Sequence, residues 1–264
     1  MVSKKKNFYI NIISYLLLIL FAFICVFPFY WMVLSALKPD SEIRSAFPSL
    51  ITRMPTLKNF TKVLYTAGFL KYIKNSFLVS IIACFVSMVI AVMAGYAFSR
   101  YYKERMIKIS NFAMLVSQMI PGVLLLVPLY MIMRNFGFLE SYISLILSYT
   151  TFVIPLCTFM MSSFFDTVPI TLEEAAEIDG TNKFQMMVKI ILPISSLVST
   201  GLYAFIQAWN EFMFGYIFIS TDQYRTLTPA IMLFKGSNII DWGGLMAASV
   251  VAVLPVTCLF LFMQ

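Results

Sequence analysis

Only 12 of the 264 residues are acidic, and five of them crowd one stretch: Asp166, then Glu173, Glu174, Glu177 and Asp179 within VPITLEEAAEIDGTNKFQMMVKIILP, Val168 to Pro193. This is the only long polar interruption between two apolar runs in the second half of the chain. A second polar group, Gln207, Asn210 and Glu211, lies in and beside AWNEF (Ala208 to Phe212), inside an otherwise apolar run, and Gln118 is a lone amide in another. Neither group completes a nucleophile–base pair or a metal site. There is no histidine, and the four cysteines, Cys25, Cys84, Cys157 and Cys258, fall in four different apolar runs. No Gly-Lys-Ser/Thr phosphate loop is present. The chemistry open to these side chains is recognition and hydrogen bonding, and any energy source that drives the protein would lie on another chain.

The elements that position the acidic stretch follow from local rules. Thr171 followed by Glu174 is a capping-box pattern, so a helix is predicted to start at Thr171 with Glu173 and Glu174 in the turn where the dipole favours negative charge. Gly180 is where it should stop, since glycine enters the left-handed C′ conformation cheaply. A second helix is predicted from about Asn182, with Phe184, Val188 and Ile191 at helical spacing, until Pro193 redirects the chain. On the first helix Leu172, Ala175, Ala176 and Asp179 share one face, and Glu173, Glu174 and Glu177 the other. Two readings stand: an elbow that docks its small-residue face in a partner's groove, or a connecting loop with a solvated acidic face.

Around these groups the chain is 61% hydrophobic and 12% charged, with a mean hydropathy of +0.88. That is too apolar for a soluble domain of this length, and it predicts a membrane protein. A core of about 30 Å needs about 20 helical residues. Six apolar runs meet this: Asn7 to Leu37, Asn75 to Ser99, Ile109 to Met133, Ser141 to Phe165, Ile190 past Glu211 to Thr221, and Trp242 onward. The first, at 31 residues, is too long for a signal-peptide core and is read as a retained helix. The net charge of +7 is spread over separate loops and does not predict nucleic-acid binding. Lys/Arg counts of nine and ten on the two sides do not decide orientation. The short loop with Arg100, Lys103, Arg105 and Lys108, together with Lys4, Lys5 and Lys6, favours the N-terminus inside. Gln118, with Pro121, Gly122 and Pro128 nearby, is either pathway-lining or interhelical glue.

LEEAAEIDG followed by ILP, that is Glu174, Ala175, Ala176, Gly180, Leu192 and Pro193, resembles the EAA loop of bacterial ATP-binding-cassette importer permeases. SALKP (Ser35 to Pro39), PTLKNF (Pro55 to Phe60, read as a short helix capped at Thr56), NSF (Asn75 to Phe77), AGYAFSR (Ala94 to Arg100) and AWNEF extend the likeness over almost the whole chain. They resemble the shorter maltose and multiple-sugar permease subunit of the carbohydrate-uptake branch. That family's chains continue into a short cytoplasmic tail beyond the position of Gln264.

The resemblance implies an all-α membrane protein with the type I ABC importer permease fold. It has six transmembrane helices and a cytoplasmic helix–Gly–helix coupling loop between helices 4 and 5. Residues 1–37 would be an N-terminal tail and the first span, 38–70 an extracellular loop, and 71–264 the transmembrane domain, with spans near 75–99, 109–133, 141–165, 192–219 and 242–264 and the coupling loop at 166–192. Glu173, Glu174, Ala175, Ala176, Asp179, Gly180 and Phe184 would meet the ATPase. Partners would be a second homologous permease, an ATPase dimer that binds ATP and Mg, an extracellular solute-binding lipoprotein, and a sugar. The chain itself would hold no cofactor and catalyse nothing, and would sit in the bacterial cell membrane with its N-terminus in the cytoplasm.

Gln118, Gln207, Asn210 and Glu211 are the candidate pathway residues. Counted along a straight helix from Pro193, Glu211 lies about 27 Å up. There it either faces the outer end of a cavity or anchors at the interface beside a belt tryptophan, Trp209. A related importer of another solute, such as glycerol phosphate, calls for basic residues that the spans lack. An ion-coupled transporter calls for several intramembrane ionisable groups, and only Glu211 qualifies.

Overall fold

Apolar runs of this length have no economical alternative to the α-helix in lipid, since only a helix satisfies its own backbone donors and acceptors within one segment. The computed structural model describes residues 2–194, 197–236 and 239–263. Gln264 and the side chains of Lys4, Lys5 and Lys6 lie outside the described residues. In chain order the helices are α1 (Val2–Ala36), α2 (Asp40–Ile43), α3 (Lys58–Thr61), α4 (Phe69–Arg100), α5 (Arg105–Gln118), α6 (Leu126–Asn135) and α7 (Tyr142–Thr167). There follow α8 (Ile170–Ile178), α9 (Lys183–Met186), α10 (Leu192–Ile194), α11 (Leu197–Asn210), α12 (Met213–Phe218), α13 (Leu227–Ala230) and α14 (Trp242–Met263).

Among the described residues four helices are long and apolar enough to cross a bilayer: Ile10–Ala36, Phe69–Arg100, Tyr142–Thr167 and Trp242–Met263. The third predicted run is not one straight helix. α5 and the segment Gly122–Asn135 are bent by 100°, and the pair counts as a fifth span only when taken together. The bend falls at Pro121, whose ψ of 127° is extended, so the helix stops and restarts with a 3-10 turn at Gly122–Leu125. By contrast α7 runs unbroken through Pro155. The fifth run is also interrupted. The break falls at Glu211 and Phe212, between the end of α11 and the start of α12.

The chain divides into two units. One comprises Met1–Leu70 with Ile231–Pro255. In it Asn59 Nδ2 donates to the carbonyls of Ala36 and Lys38, 2.9 Å each, and Thr56 N donates to Leu37 O at 2.8 Å. The PTLKNF and SALKP phrases therefore hold each other. The short helix expected there begins at Lys58, with Thr56 Oγ1 accepting from Lys58 N at 3.2 Å. Lys38 is buried, with its ammonium on Ser49 O and 4.8 Å from the Trp31 ring centre. At the start of α14, Gly243 lies against Asn59 and Gly244 against Phe234 and Asp241. Asp241 pairs with Lys62; burial opposes its ionisation, yet that lysine and the Gly244 N–H hold its carboxyl below the ordinary range.

The other unit comprises Lys71–Ala230 with Val256–Gln264. Two apolar cores stand out among its described residues. Ala91, Met161, Phe165, Ala176, Met186 and Ile191 join α4, α7, α8 and α9. Val79, Met133, Leu145, Tyr149, Phe214 and Phe218 join α4, α6, α7 and α12. α4 and α7 touch closely at Gly95, where a Cβ would stand 2.8 Å from Met161 Cβ and 3.0 Å from Ser162 N.

Candidate functional site

The acidic stretch folds as helix, glycine, helix, with one change at its start. α8 begins at Ile170 with Pro169 at the boundary, φ −60° and ψ 133°, and no side chain caps it. Thr171 lies inside the first turn, so the expected Thr171–Glu174 capping box does not form. Proline sets its own φ and has no N–H to satisfy, so it makes an inexpensive helix boundary. At the other end Gly180 has φ +81°. Its N–H reaches Glu177 O at 3.0 Å, and Thr181 N reaches Ala176 O at 3.1 Å, the paired bonds of a glycine-terminated helix. α9 then starts with a capping box: Gln185 N donates to Asn182 Oδ1 at 2.8 Å and Asn182 N to Gln185 Oε1 at 3.3 Å.

The faces differ from those read off the helical spacing. α8 buries Glu173 and Ala176 and exposes Leu172, Glu174, Ala175, Glu177, Ile178 and Asp179. In the next segment Met186, Met187 and Ile191 are buried, whereas Phe184 and Val188 are exposed. Past Met187 the backbone is a π turn, Met187–Ile191, just before Pro193, where a donor is missing from the helical ladder.

The reason for the rotation of α8 comes from far along the chain. Arg100 Nε meets Glu173 Oε1 at 2.5 Å, with the two side chains only 11% and 10% exposed. Tyr96 donates its hydroxyl to Glu173 Oε2 at 2.8 Å. Arg100 also donates to Val168 O and to Ser99 Oγ, 3.0 Å each, and Ser99 donates to Asp166 Oδ1 at 2.5 Å. A carboxylate with a guanidinium and a phenol waiting for it goes inside, and the acids without such partners face out. On the exposed side Lys183 donates to the Tyr101 hydroxyl at 2.9 Å, and this bond raises the ammonium's pKa. Tyr96, Ser99, Arg100 and Asp166 were not singled out as site residues from the sequence. The available signal was Arg100 itself, a cation closing a long apolar helix.

The second polar group shapes a break in a helix. α11 ends at Asn210, and Glu211 accepts from Phe214 N at 3.0 Å and Gly215 N at 3.2 Å, so that it caps α12. The straight helix assumed in the sequence reading is therefore replaced by two helices that meet at Glu211. Thr228 Oγ1 donates to Glu211 O at 2.5 Å, and a Cβ on Gly215 would stand 2.9 Å from both Pro229 Cγ and Thr226 Oγ1. Trp209 is 1% exposed, packed on Phe77 and Phe205, so it is a core residue and not an interfacial anchor.

Gln207 and Glu211 line one cavity of about 270 Å³ with Tyr149, Phe152 and Tyr203. Gln118 lines an adjoining one of about 380 Å³ that shares Gly122, Phe152 and Tyr203. Three of the four pathway candidates thus come together. Asn210 is exposed and lines neither cavity.

Two further polar clusters hold loops. Asn75 Nδ2 donates to Gln223 O at 3.0 Å and Arg225 O at 2.8 Å, its Oδ1 accepts from Tyr142 at 2.7 Å, and Ser76 Oγ accepts from Leu227 N at 2.7 Å. The NSF phrase therefore fixes the segment after α12. Glu140, at φ +55°, accepts from Ser220 N at 2.7 Å, Thr221 N at 3.1 Å and the Thr221 hydroxyl at 2.8 Å. Its burial works against ionisation, but these donors prevail and its carboxyl lies below the ordinary glutamate value.

This is an all-α membrane protein with an exposed helix–glycine–helix elbow and a helix broken at Glu211. The sequence pattern of the family described as "Binding-protein-dependent transport system inner membrane component" matches residues 87–264. The chain is 35% identical over 248 residues to the inner membrane ABC transporter permease protein YcjP of Escherichia coli, covering 92% of this chain and 88% of the relative. It is 35% identical to the trehalose/maltose transport system permease protein MalG of Thermococcus litoralis, covering 93% and 89%. Its fold is similar to that of a chain in a bacterial ABC transporter involved in import of the acidic polysaccharide alginate, with a TM-score of 0.84 at 18% identity, covering 98% and 96%. The chain belongs to the binding-protein-dependent transport family: it is a multi-pass inner-membrane permease subunit of an ABC importer. It is not itself catalytic, and ATP is bound by a partner ATPase.

Proposed function

We propose that the chain is one of two homologous permease halves of a carbohydrate importer, supplied by an extracellular solute-binding lipoprotein and driven by an ATPase dimer. The observation that carries the sugar assignment is the 35% identity to a trehalose/maltose permease over nearly the full length. In this reading residues 71–264 are the transmembrane domain, and six spans cross the bilayer with the N-terminus in the cytoplasm. The bent α5–α6 pair is one span, and the broken segment from α10 to α12 another. The elbow at 166–192 is the ATPase-coupling loop. It presents Leu172, Glu174, Ala175, Asp179 and Phe184 outward, while Gly180 sets its angle and Glu173 and Ala176 root it. Gln118, Gln207 and Glu211 line the pathway. Their amides and carboxylate beside aromatic rings suit the hydroxyls and apolar faces of a neutral sugar.

Reconstitution of the complex purified through a tag on this chain tests the reading. Co-purification of a second permease and an ATPase is expected, with saccharide uptake that needs both ATP and the cognate binding protein; uptake by this chain alone would refute it. Orientation has its own check. A cysteine at Ser45 should react with an impermeant thiol reagent on intact cells, one at Lys183 should not, and the reverse pattern would remove the coupling-loop assignment.

A further inference from the structure

Arg100 closes the 32-residue α4 and joins three segments. Its Nε holds Glu173 on α8, Nη2 holds the Val168 carbonyl in the α7–α8 link, and Nη1 holds Ser99 on its own helix. A planar guanidinium bonded in this way cannot swivel without losing more than one bond. Beside it, Tyr96 occupies the second oxygen of Glu173, and the Ser99–Asp166 bond ties α4 to the end of α7. We infer that Arg100 and Glu173 are the latch through which movement of the α8 elbow is delivered to α4: positioning residues of the transport cycle that touch neither solute nor nucleotide.

The inference rests on the reading of the elbow as the ATPase-coupling loop. Tyr96 and Arg100 face Glu173 at the root of α8, Ser99 faces Asp166 at the end of α7, and the neighbouring Gly95 packs on Met161 and Ser162 of α7. The outward side of α8, with Ile178 86% exposed, is left to receive a push. A desolvated ion pair gives little net stability compared with apolar packing of the same volume, so its value at the root of a moving element is geometric. An apolar pair would let α8 slide over α4, whereas the Arg100–Glu173 pair holds one register.

The test is a distance measurement in the assembled transporter, reconstituted with its ATPase and binding protein. Spin labels are placed at Ile178 and Tyr102, both exposed, with the four native cysteines replaced by alanine. The latch predicts that the Ile178–Tyr102 distance is the same without nucleotide and with trapped ATP. In Arg100→Gln that distance should broaden and differ between the states, and solute imported per ATP should fall roughly tenfold, within the range of typical coupling energies. Glu173→Gln should behave alike, and the double variant no worse than either single one.

A wild-type distance that changes between nucleotide states would overturn the inference, as would Arg100→Gln with normal import per ATP. Should Arg100→Gln fail to co-purify with its partners, Arg100→Lys keeps the charge on Glu173 but not the fork, and its distance should still broaden; a wild-type distribution there overturns the latch. Failure of a cysteine at Ile178 to cross-link to the ATPase would instead refute the coupling-loop reading and leave the intrachain distances to be judged by themselves.

Discussion

Glu173 and Glu211 are both carboxylates withdrawn from solvent in a chain with few acids, but they are held in opposite ways. Glu173 is held by side chains 73 and 77 residues away, Arg100 and Tyr96, and so joins elements distant in sequence. Glu211 is held by backbone N–H groups three and four residues ahead, and so shapes its own helix break. A long-range pair transmits position. A local cap creates a fixed irregularity, here one wall of a mainly apolar cavity into which Gln207 and Glu211 bring polar groups. One residue type thus joins two distant helices at one place and shapes a helix break at another.

Breaking the local cap should have the largest effect. Glu211→Leu leaves two N–H groups without their acceptor, at about 1–3 kcal/mol each, and places an isobutyl group in the cavity wall. Uptake should fall to background while the complex still assembles, and Glu211→Gln, which keeps the shape and one acceptor, should reduce uptake only mildly. Uptake at the wild-type rate in Glu211→Leu, measured in proteoliposomes, would end the pathway assignment.

The long-range side of the comparison sharpens at two glycines. Gly95→Val forces α4 away from Met161 and the Ser162 backbone, so a destabilisation of about 1–3 kcal/mol is expected as a lower melting temperature in detergent. Gly201→Ala, with nothing within 4 Å of the added carbon, is the control and should melt as the wild type does. Gly180→Val meets no neighbour but puts a β-branched residue at φ +81°, at about 1–2 kcal/mol. It should leave membrane insertion intact and make ATP hydrolysis insensitive to the binding protein. Normal stimulation in that variant would deny the elbow a mechanical role.

Glu140 offers the smallest effect and a third kind of carboxylate, partly exposed and bridging to Ser220 and Thr221. Its folded pKa lies below the ordinary glutamate value, so its contribution is complete above that value and is lost as pH falls through the folded pKa. Amide exchange at Ser220 and Thr221 should therefore lose protection on acidification from neutral pH to below the ordinary glutamate range. Glu140→Gln should flatten that profile, and an unchanged profile would assign the protection to the backbone alone.

The sequence by itself determined the features that depend on a few neighbouring residues. The apolar runs mark the helices, because lipid leaves their backbones no other partner. Gly180 ends α8, because positive φ excludes side chains. The NSF, SALKP and PTLKNF phrases mark where loops are held, although only the structure shows what they hold. The start of α9 was also readable, since Asn182 and Gln185 carry their capping box locally.

Tertiary structure alone decided the rest. Pro121 sits at a 100° bend and Pro155 inside an unbroken helix, a difference that the residue type alone does not announce. The buried side of α8 was set by a guanidinium 73 residues upstream. Glu211 became a helix cap because the Thr226–Pro229 turn packs against Gly215 and bonds Glu211's own carbonyl. Spacing along one helix reports which residues share a face, but which face turns inward depends on what the rest of the chain brings to meet it.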